Sequence, residues 1–421
     1  MQTKKICDGV DLRILKEDKF KTNTLSIFFH IPLKRETVTK AALLSSVLKR
    51  GCEKYPKTMD IAKHLTDLYS STLIAGVRPK GDGEVIYFSM SYIADEYIGE
   101  NLTDKIAEFM TDFVFSPLVK DGGFLPEYVD SEKINLKNTI QGLINDKKDY
   151  ADVKCREAMF GKDGYGMFEA GYVEDLDSIT PQNLYEFYLD VLKNAKADIF
   201  MGGTVTDQTE EQIRKIVIPK ILPRENSYIK TETAVSTRDE IQYVTEEIDV
   251  KQSKLSIGFC CNVDAASDEY YALMLGNCIF GGSPVSKLFL NVREKLSLAY
   301  YAACRTDRLK SVMIVSSGIE TENYQVALDE IMVQFKKMQQ GDITDAELDA
   351  AKKYFSSGLP ALKDSLKTIE DYYLSQAILG REQSVDELIE KLMNVTIPEI
   401  QAVMQKVKPD TVFFLKGIGA E

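Results

Sequence analysis

Apolar and polar residues alternate along Val10-Asp11-Leu12-Arg13-Ile14-Leu15, and again along Thr24-Leu25-Ser26-Ile27-Phe28-Phe29-His30-Ile31. Each run predicts a strand, with the charged stretch Lys16 to Lys21 as the turn between them. Helical spacing follows over about 37–50, closed by Gly51, and over about 59–71. Residues 72–79 and 84–93 read as the two strands of a hairpin around Lys80-Gly81-Asp82-Gly83. Helices are expected over about 101–116, 127–158, 181–195 and 207–216, with a strand at Ala197 to Gly203 before the last.

Residues 219–239 contain two prolines, scattered charge and no period, which marks a linker. The pattern then repeats. Leu255-Ser256-Ile257-Gly258-Phe259 answers Leu25-Ser26-Ile27-Phe28-Phe29. Helices at about 268–280, 284–296, 322–339 and 344–379, and strands near 298–307 and 310–318, follow in the same order. Leu392-x-x-Val395-Thr396-Ile397-Pro398 and the strand Thr411 to Gly417 match Leu176-x-x-Ile179-Thr180-Pro181 and the strand Asp198 to Gly202. A period of about 215 residues is one domain duplicated, not a solenoid. The chain therefore divides into domains 1–218 and 240–421 around the linker 219–239. Strands followed by runs of helices give an α+β class, each domain a mixed, largely antiparallel sheet with helices on one face.

The second half carries the most informative stretch. After the turn signal Gly281-Gly282-Ser283-Pro284, residues Val285, Leu288, Phe289, Val292 and Leu296 recur at helical spacing and predict one buried stripe. Arg293 lies about 40° from Phe289 on that helix, at the rim of the stripe. Its stem can rest on apolar surface while the guanidinium reaches along the edge. From Leu298 the pattern becomes a strand, so Arg293 and Tyr300 are placed to face one cleft.

Leu288-Phe289, Val292-Arg293-Glu294-Lys295 and Leu298-Ala299-Tyr300 together resemble the arginine–tyrosine motif of the pitrilysin/insulinase zinc peptidases. The resemblance covers the whole chain and implies two homologous domains facing each other as a clamshell around a peptide. It implies that Tyr300 donates a hydrogen bond to the scissile carbonyl and that Arg293 clamps a neighbouring one. A donor aimed at developing oxyanion charge is worth about 10²–10³ in rate. It also makes the strand through Leu73 and Ala75 the peptide-pairing edge, and puts Gly281 and Gly282 beside the substrate. Catalytic members carry His-x-x-Glu-His on the first helix of the first domain, two imidazoles for zinc and a glutamate for its water. The matching positions here are Ala42, Ser45 and Ser46, and the third ligand, a distant glutamate, falls near Thr139. None is a zinc ligand. The resemblance thus implies a zinc-less chain that keeps the substrate-binding half of the machinery. It is similar to a Gram-positive chain associated by name with modification of elongation factor P.

Composition narrows the picture. The chain has 421 residues, 44% hydrophobic and 28% charged, as in a globular protein of two ordinary domains. There are two histidines, His30 and His64, each read as an ordinary strand or helix imidazole. Asp130 and Glu132 read as a solvated helix face. Seven cysteines without a Cys-x-x-Cys pair point to reduced thiols in the cytoplasm, and the N-terminal residues lack an apolar signal region. No apolar run approaches the length of a membrane span. The net charge of −13 argues against nucleic acid and suits, weakly, basic peptides. No Gly-x-Ser-x-Gly elbow or phosphate loop is present.

The expectation is a non-catalytic subunit that binds no metal or cofactor. It completes a peptide site for a homologous chain with an intact His-x-x-Glu-His, which holds the zinc. Activity as a metalloendopeptidase is expected only with that partner. The alternatives are a self-dimer, a peptide-binding or structural protein of the same fold, and an independent hydrolase with an unrecognised metal site.

Overall fold

In the computed structural model, residues 1–421 are described except 163, 222, 225, 237, 420 and 421. Three of the expected linker residues, 222, 225 and 237, and the last two of the second domain therefore lie outside the description. The chain forms two compact units, each an α+β domain built on one mixed sheet.

In the first unit, β1 (Gln2–Cys7), β2 (Val10–Lys16), β3 (Thr22–Pro32), β4 (Thr72–Lys80), β5 (Gly83–Ile93) and β6 (Lys196–Gly203) lie in the order β1-β2-β6-β3-β5-β4. β2 and β6 run parallel, and the other pairs antiparallel. The apolar positions that alternate along β3, Leu25, Ile27, Phe29 and Ile31, join a core with Leu44, Val47, Phe109 and Phe113 from the helices Val38–Leu48 and Leu102–Phe115. The second unit holds β7 (Gln242–Ile248), β8 (Ser253–Cys260), β9 (Ala299–Asp307), β10 (Val312–Ile319) and β11 (Lys408–Gly417), in the order β9-β10-β8-β11-β7. Again one pair, β11 with β7, is parallel. The two sheets correspond strand for strand, β4 with β9, β5 with β10, β3 with β8, β6 with β11 and β2 with β7.

The units are not continuous in the chain. Residues 142–167 pack within the second unit and 365–374 within the first. This departs from the uninterrupted halves 1–218 and 240–421 expected from the repeat. It goes with two corrections. The helix expected over 127–158 is two helices, Pro126–Gly142 and Lys147–Phe160, separated at Asp146, whose side chain caps the second by accepting from Lys148 and Asp149 N–H. The helix expected over 344–379 is Asp345–Gly358 and Leu366–Ile378, joined by the tighter turn Leu359–Asp364. Pro360 has no N–H to continue the first of these. Both breaks fall where the chain passes from one unit to the other. β1, β7 and the helix Val385–Asn394 were not expected, although Val385, Leu388, Ile389 and Leu392 recur at helical spacing along the last of these. Among the described residues, no helix is long and apolar enough to cross a membrane.

Candidate functional site

The helix after Gly282 buries less than its periodicity predicts. Leu288 and Val292 are fully buried, but Val285 and Leu296 are about half exposed. Val285 lies in the turn before the helix begins, and beyond Leu288 the pitch changes. Residues Phe289–Lys295 form wide π-helical turns, and Leu296 N–H reaches Asn291 O, five residues back. Such turns recur at functional sites. Arg293 still leans on Phe289, its guanidinium carbon 4.7 Å from the ring centroid, and its Nε lies 3.6 Å from Glu294 Oε1. Leu298 N–H then closes on Val292 O, and Ser297 takes φ +50°, a left-handed conformation few non-glycine residues adopt.

The strand that follows is bulged at its start. Ala299 pairs with Ile319 and Tyr301 with Gly318, so Tyr300 is the extra residue. A bulge re-aims a side chain, and Tyr300 stands 61% exposed at the edge of the sheet. Its hydroxyl donates to Glu320 Oε1 at 2.6 Å. That hydrogen bond, with the carboxylate's charge, raises the phenol's pKa and keeps it a neutral donor. Arg293, Glu294, Ser297, Tyr300, Glu320 and Asn323 line an open pocket of about 480 Å³. A phenol, a guanidinium and a carboxylate in one pocket can bind and polarise a peptide carbonyl.

Gly281 and Gly282 lie outside this pocket. A Cβ on Gly281 would meet Cys304 and Leu288, so the glycine serves close packing of the helix on β9. Leu73 and Ala75 turn their side chains into the first unit's core. β4 is nevertheless the edge of its sheet, so what it presents is main chain.

The positions of the zinc motif sit on the helix Val38–Leu48. Ala42 is buried and has no donor atom, and Ser45, also buried, spends its hydroxyl on Ala42 O at 3.0 Å. Ser46 is partly buried. Thr139 is exposed and bonds Asn135 O at 3.1 Å. These side chains do not fit a zinc ion. Among the described residues, no three His, Cys, Asp or Glu side chains come together as a metal site. Glu132 corrects the expectation of a solvated face: it is buried and ion-paired with Arg50.

Sequence reasoning also missed a buried network in the first unit. Asp198 accepts from Tyr228 at 2.9 Å and Arg13 Nε at 3.1 Å, lies 2.8 Å from His30 Nε2, and has Lys196 at 3.3 Å. Burial alone would push its carboxyl up. The His30 hydrogen bond and the Lys196 and Arg13 charges win, holding it well below the usual carboxylate range. Charged residues inside otherwise apolar strands were the signal. His64 instead stacks on Tyr55 at 4.4 Å.

The family described as Peptidase M16 inactive domain matches residues 178–355. The "Probable inactive metalloprotease YmfF" of Bacillus subtilis (strain 168) is 33% identical over 412 residues, 97% of this chain and 96% of that one. A conserved protein of Enterococcus faecalis V583 superposes with a TM-score of 0.92 at 29% identity, over 100% of this chain and 99% of that one. A peptidase M16 inactive domain from Pseudomonas fluorescens has the same fold, with a TM-score of 0.82 at 17% identity over 100% and 99% of the two chains.

Proposed function

The chain belongs to the peptidase M16 family as an inactive metalloprotease homologue, and from that premise we propose that it is the non-catalytic subunit of a two-chain peptidase. It binds no zinc. Its partner is a homologous chain with an intact His-x-x-Glu-His, and the pair works on peptides in the cytoplasm. Arg293 holds one peptide carbonyl, and Tyr300 donates to the carbonyl under attack, where charge develops in the transition state. The observation that carries this reading is the placement of Arg293 and Tyr300 on one open pocket, in a chain whose zinc-motif positions are Ala42, Ser45 and Ser46.

The test is reconstitution with the zinc-bearing homologue from the same cells. Peptide cleavage is expected from the pair and from neither chain alone. Tyr300→Phe should lower kcat by about 10²–10³ with little change in peptide binding. A rate that survives the substitution removes the completing role.

A second reading, a chain that holds peptide without any cleavage, is favoured by β4. Its edge is a regular strand of nine residues, open to an added strand. That reading is supported if peptide protects amides 72–78 and 80 from hydrogen exchange while no partner confers activity.

A further inference from the structure

The pocket holds one acidic group that neither Arg293 nor Tyr300 accounts for. Glu320 follows directly on β10, and the pairing of Ala299 with Ile319 brings it beside the bulge. Tyr300 fixes Oε1 through the 2.6 Å hydrogen bond. Among the described residues, no lysine or arginine pairs with this carboxylate. Among the described residues on the wall the one cation is Arg293, which leans on Phe289 and faces Glu294 at 3.6 Å. Two carboxylates thus share a pocket with one guanidinium, and Oε2 of the better-held one keeps its lone pairs for a ligand.

We propose that Glu320 is the specificity-determining residue of this pocket, selecting peptides with a lysine or arginine side chain beside the carbonyl that Tyr300 engages. The inference rests on the peptide-binding reading of the Arg293–Tyr300 pocket. An incoming ammonium or guanidinium makes a charge-assisted hydrogen bond to Glu320. The same bond weakens the carboxylate as an acceptor for Tyr300, whose hydroxyl is then free to turn to the peptide carbonyl. Recognition of the side chain and release of the donor are one event. Because the pocket is open, water and salt screen the pair, and a modest preference is expected, about fivefold.

The experiment uses the full chain and fluorescent heptapeptides: one neutral parent and versions with a single lysine at each position, measured by anisotropy at low salt. Wild type should prefer one lysine register by about fivefold, and the preference should shrink at 0.5 M salt. Glu320→Gln should still bind the parent and should lose the preference for any lysine register over it. Glu320→Lys should turn it toward the matching glutamate peptide. Two results overturn the inference: a wild-type chain that ranks all registers equally, or a preference that persists in Glu320→Gln. If no peptide binds wild type, the pocket takes no peptide and the inference falls with the reading beneath it. If the parent binds but lysine brings nothing, the inference alone falls. Both substitutions are at a partly buried side chain, and matching thermal unfolding with wild type checks the fold.

Discussion

The two units start from the same sheet and end with different chemistry. Each pairs its strands in the same spatial order with one parallel pair beside the centre. Each also seats an acid on a pair of serines, Glu370 buried and Asp152 partly buried. Glu370 lies 3.0 Å from Ser26, which bonds Ser89, and Asp152 accepts from Ser256 at 2.6 Å and Ser316 at 2.8 Å. The serines stand at matching places on β3 and β5, and on β8 and β10. The units part at the edge strand. β4 runs in unbroken register from Thr72 to Lys80, whereas β9 is bulged at Tyr300. One extra residue turns a strand end into the wall of a pocket. In the first unit the polar chemistry is closed around Asp198, and in the second it is open around Tyr300. The two units share the seat of the acid and differ in what the edge presents.

The closed network should break with the largest loss. Asp198→Ala takes a carboxylate from buried Arg13 and Lys196, which keep Asp11 at 3.8 and 2.9 Å, and removes the acceptor of Tyr228 and the partner of His30; it is expected to cost about 3 kcal/mol in urea unfolding. Asp410 in the second unit, bonded to Ser236 and to one arginine, Arg238, should cost less when replaced by alanine. Asp198 also has a pH signature. Its folded carboxyl sits below its unfolded value near 3.9, so its stabilisation is full above that pH and is lost as pH falls further. Equal losses at Asp198 and Asp410 would sink the contrast between the two interiors.

The acid on the serine seat has the opposite sign. Burial pushes Glu370 up to about 8, against the Ser26 hydrogen bond and the charge of Arg78. The folded chain keeps a proton that the unfolded chain releases above about 4.3. Stability from this group is complete below that pH and declines as pH rises through 8. Glu370→Gln should remove that decline, on the order of a few kcal/mol between pH 5 and 9. Asp371 beside it is held low by Lys80 and Arg78 despite its burial, and keeps its charge throughout. Glu84, buried with both oxygens unbonded and also pushed up, leaves some slope in the variant. A slope unchanged by Glu370→Gln would mean that water solvates this carboxyl.

Much of this was legible in the chain. The matching runs Leu25–Phe29 and Leu255–Phe259 mark the central strands β3 and β8, and the spacing of Arg293 and Tyr300 places both on one pocket. What was hidden depends on partners distant in sequence. Glu320 is 20 residues from Tyr300 and joins it only through the β9–β10 hairpin. The bulge changes register without changing the alternation of residue types. The passage of 142–167 and 365–374 between units follows from packing that no local period records. Other features were visible and unread. Pro360 announced a helix break, and Ser384-x-x-Glu387 is a capping box before the helix Val385–Asn394.

The smallest expected effect sharpens the comparison most. Ser26→Ala and Ser256→Ala remove the same hydroxyl from the same place in the two sheets. In the first unit Ser89 reaches Glu370 only through Ser26, so the substitution takes that acid's hydroxyl partner. In the second, Ser316 still donates to Asp152, with 2.8 Å to each oxygen. Losing a hydrogen bond to a buried group costs about 1 kcal/mol, and more when the partner is left unsatisfied. Ser26→Ala should therefore cost about 1–2 kcal/mol in urea unfolding, and Ser256→Ala roughly half as much. The pH profile supplies the cross-check, since without Ser26 the carboxyl of Glu370 loses a hydrogen bond that favours its charged form. Its titration should then move upward, and the high-pH loss of stability with it. Equal costs in the two units, with no movement of the profile, would show that the serine pairs fill space and do not hold the acids.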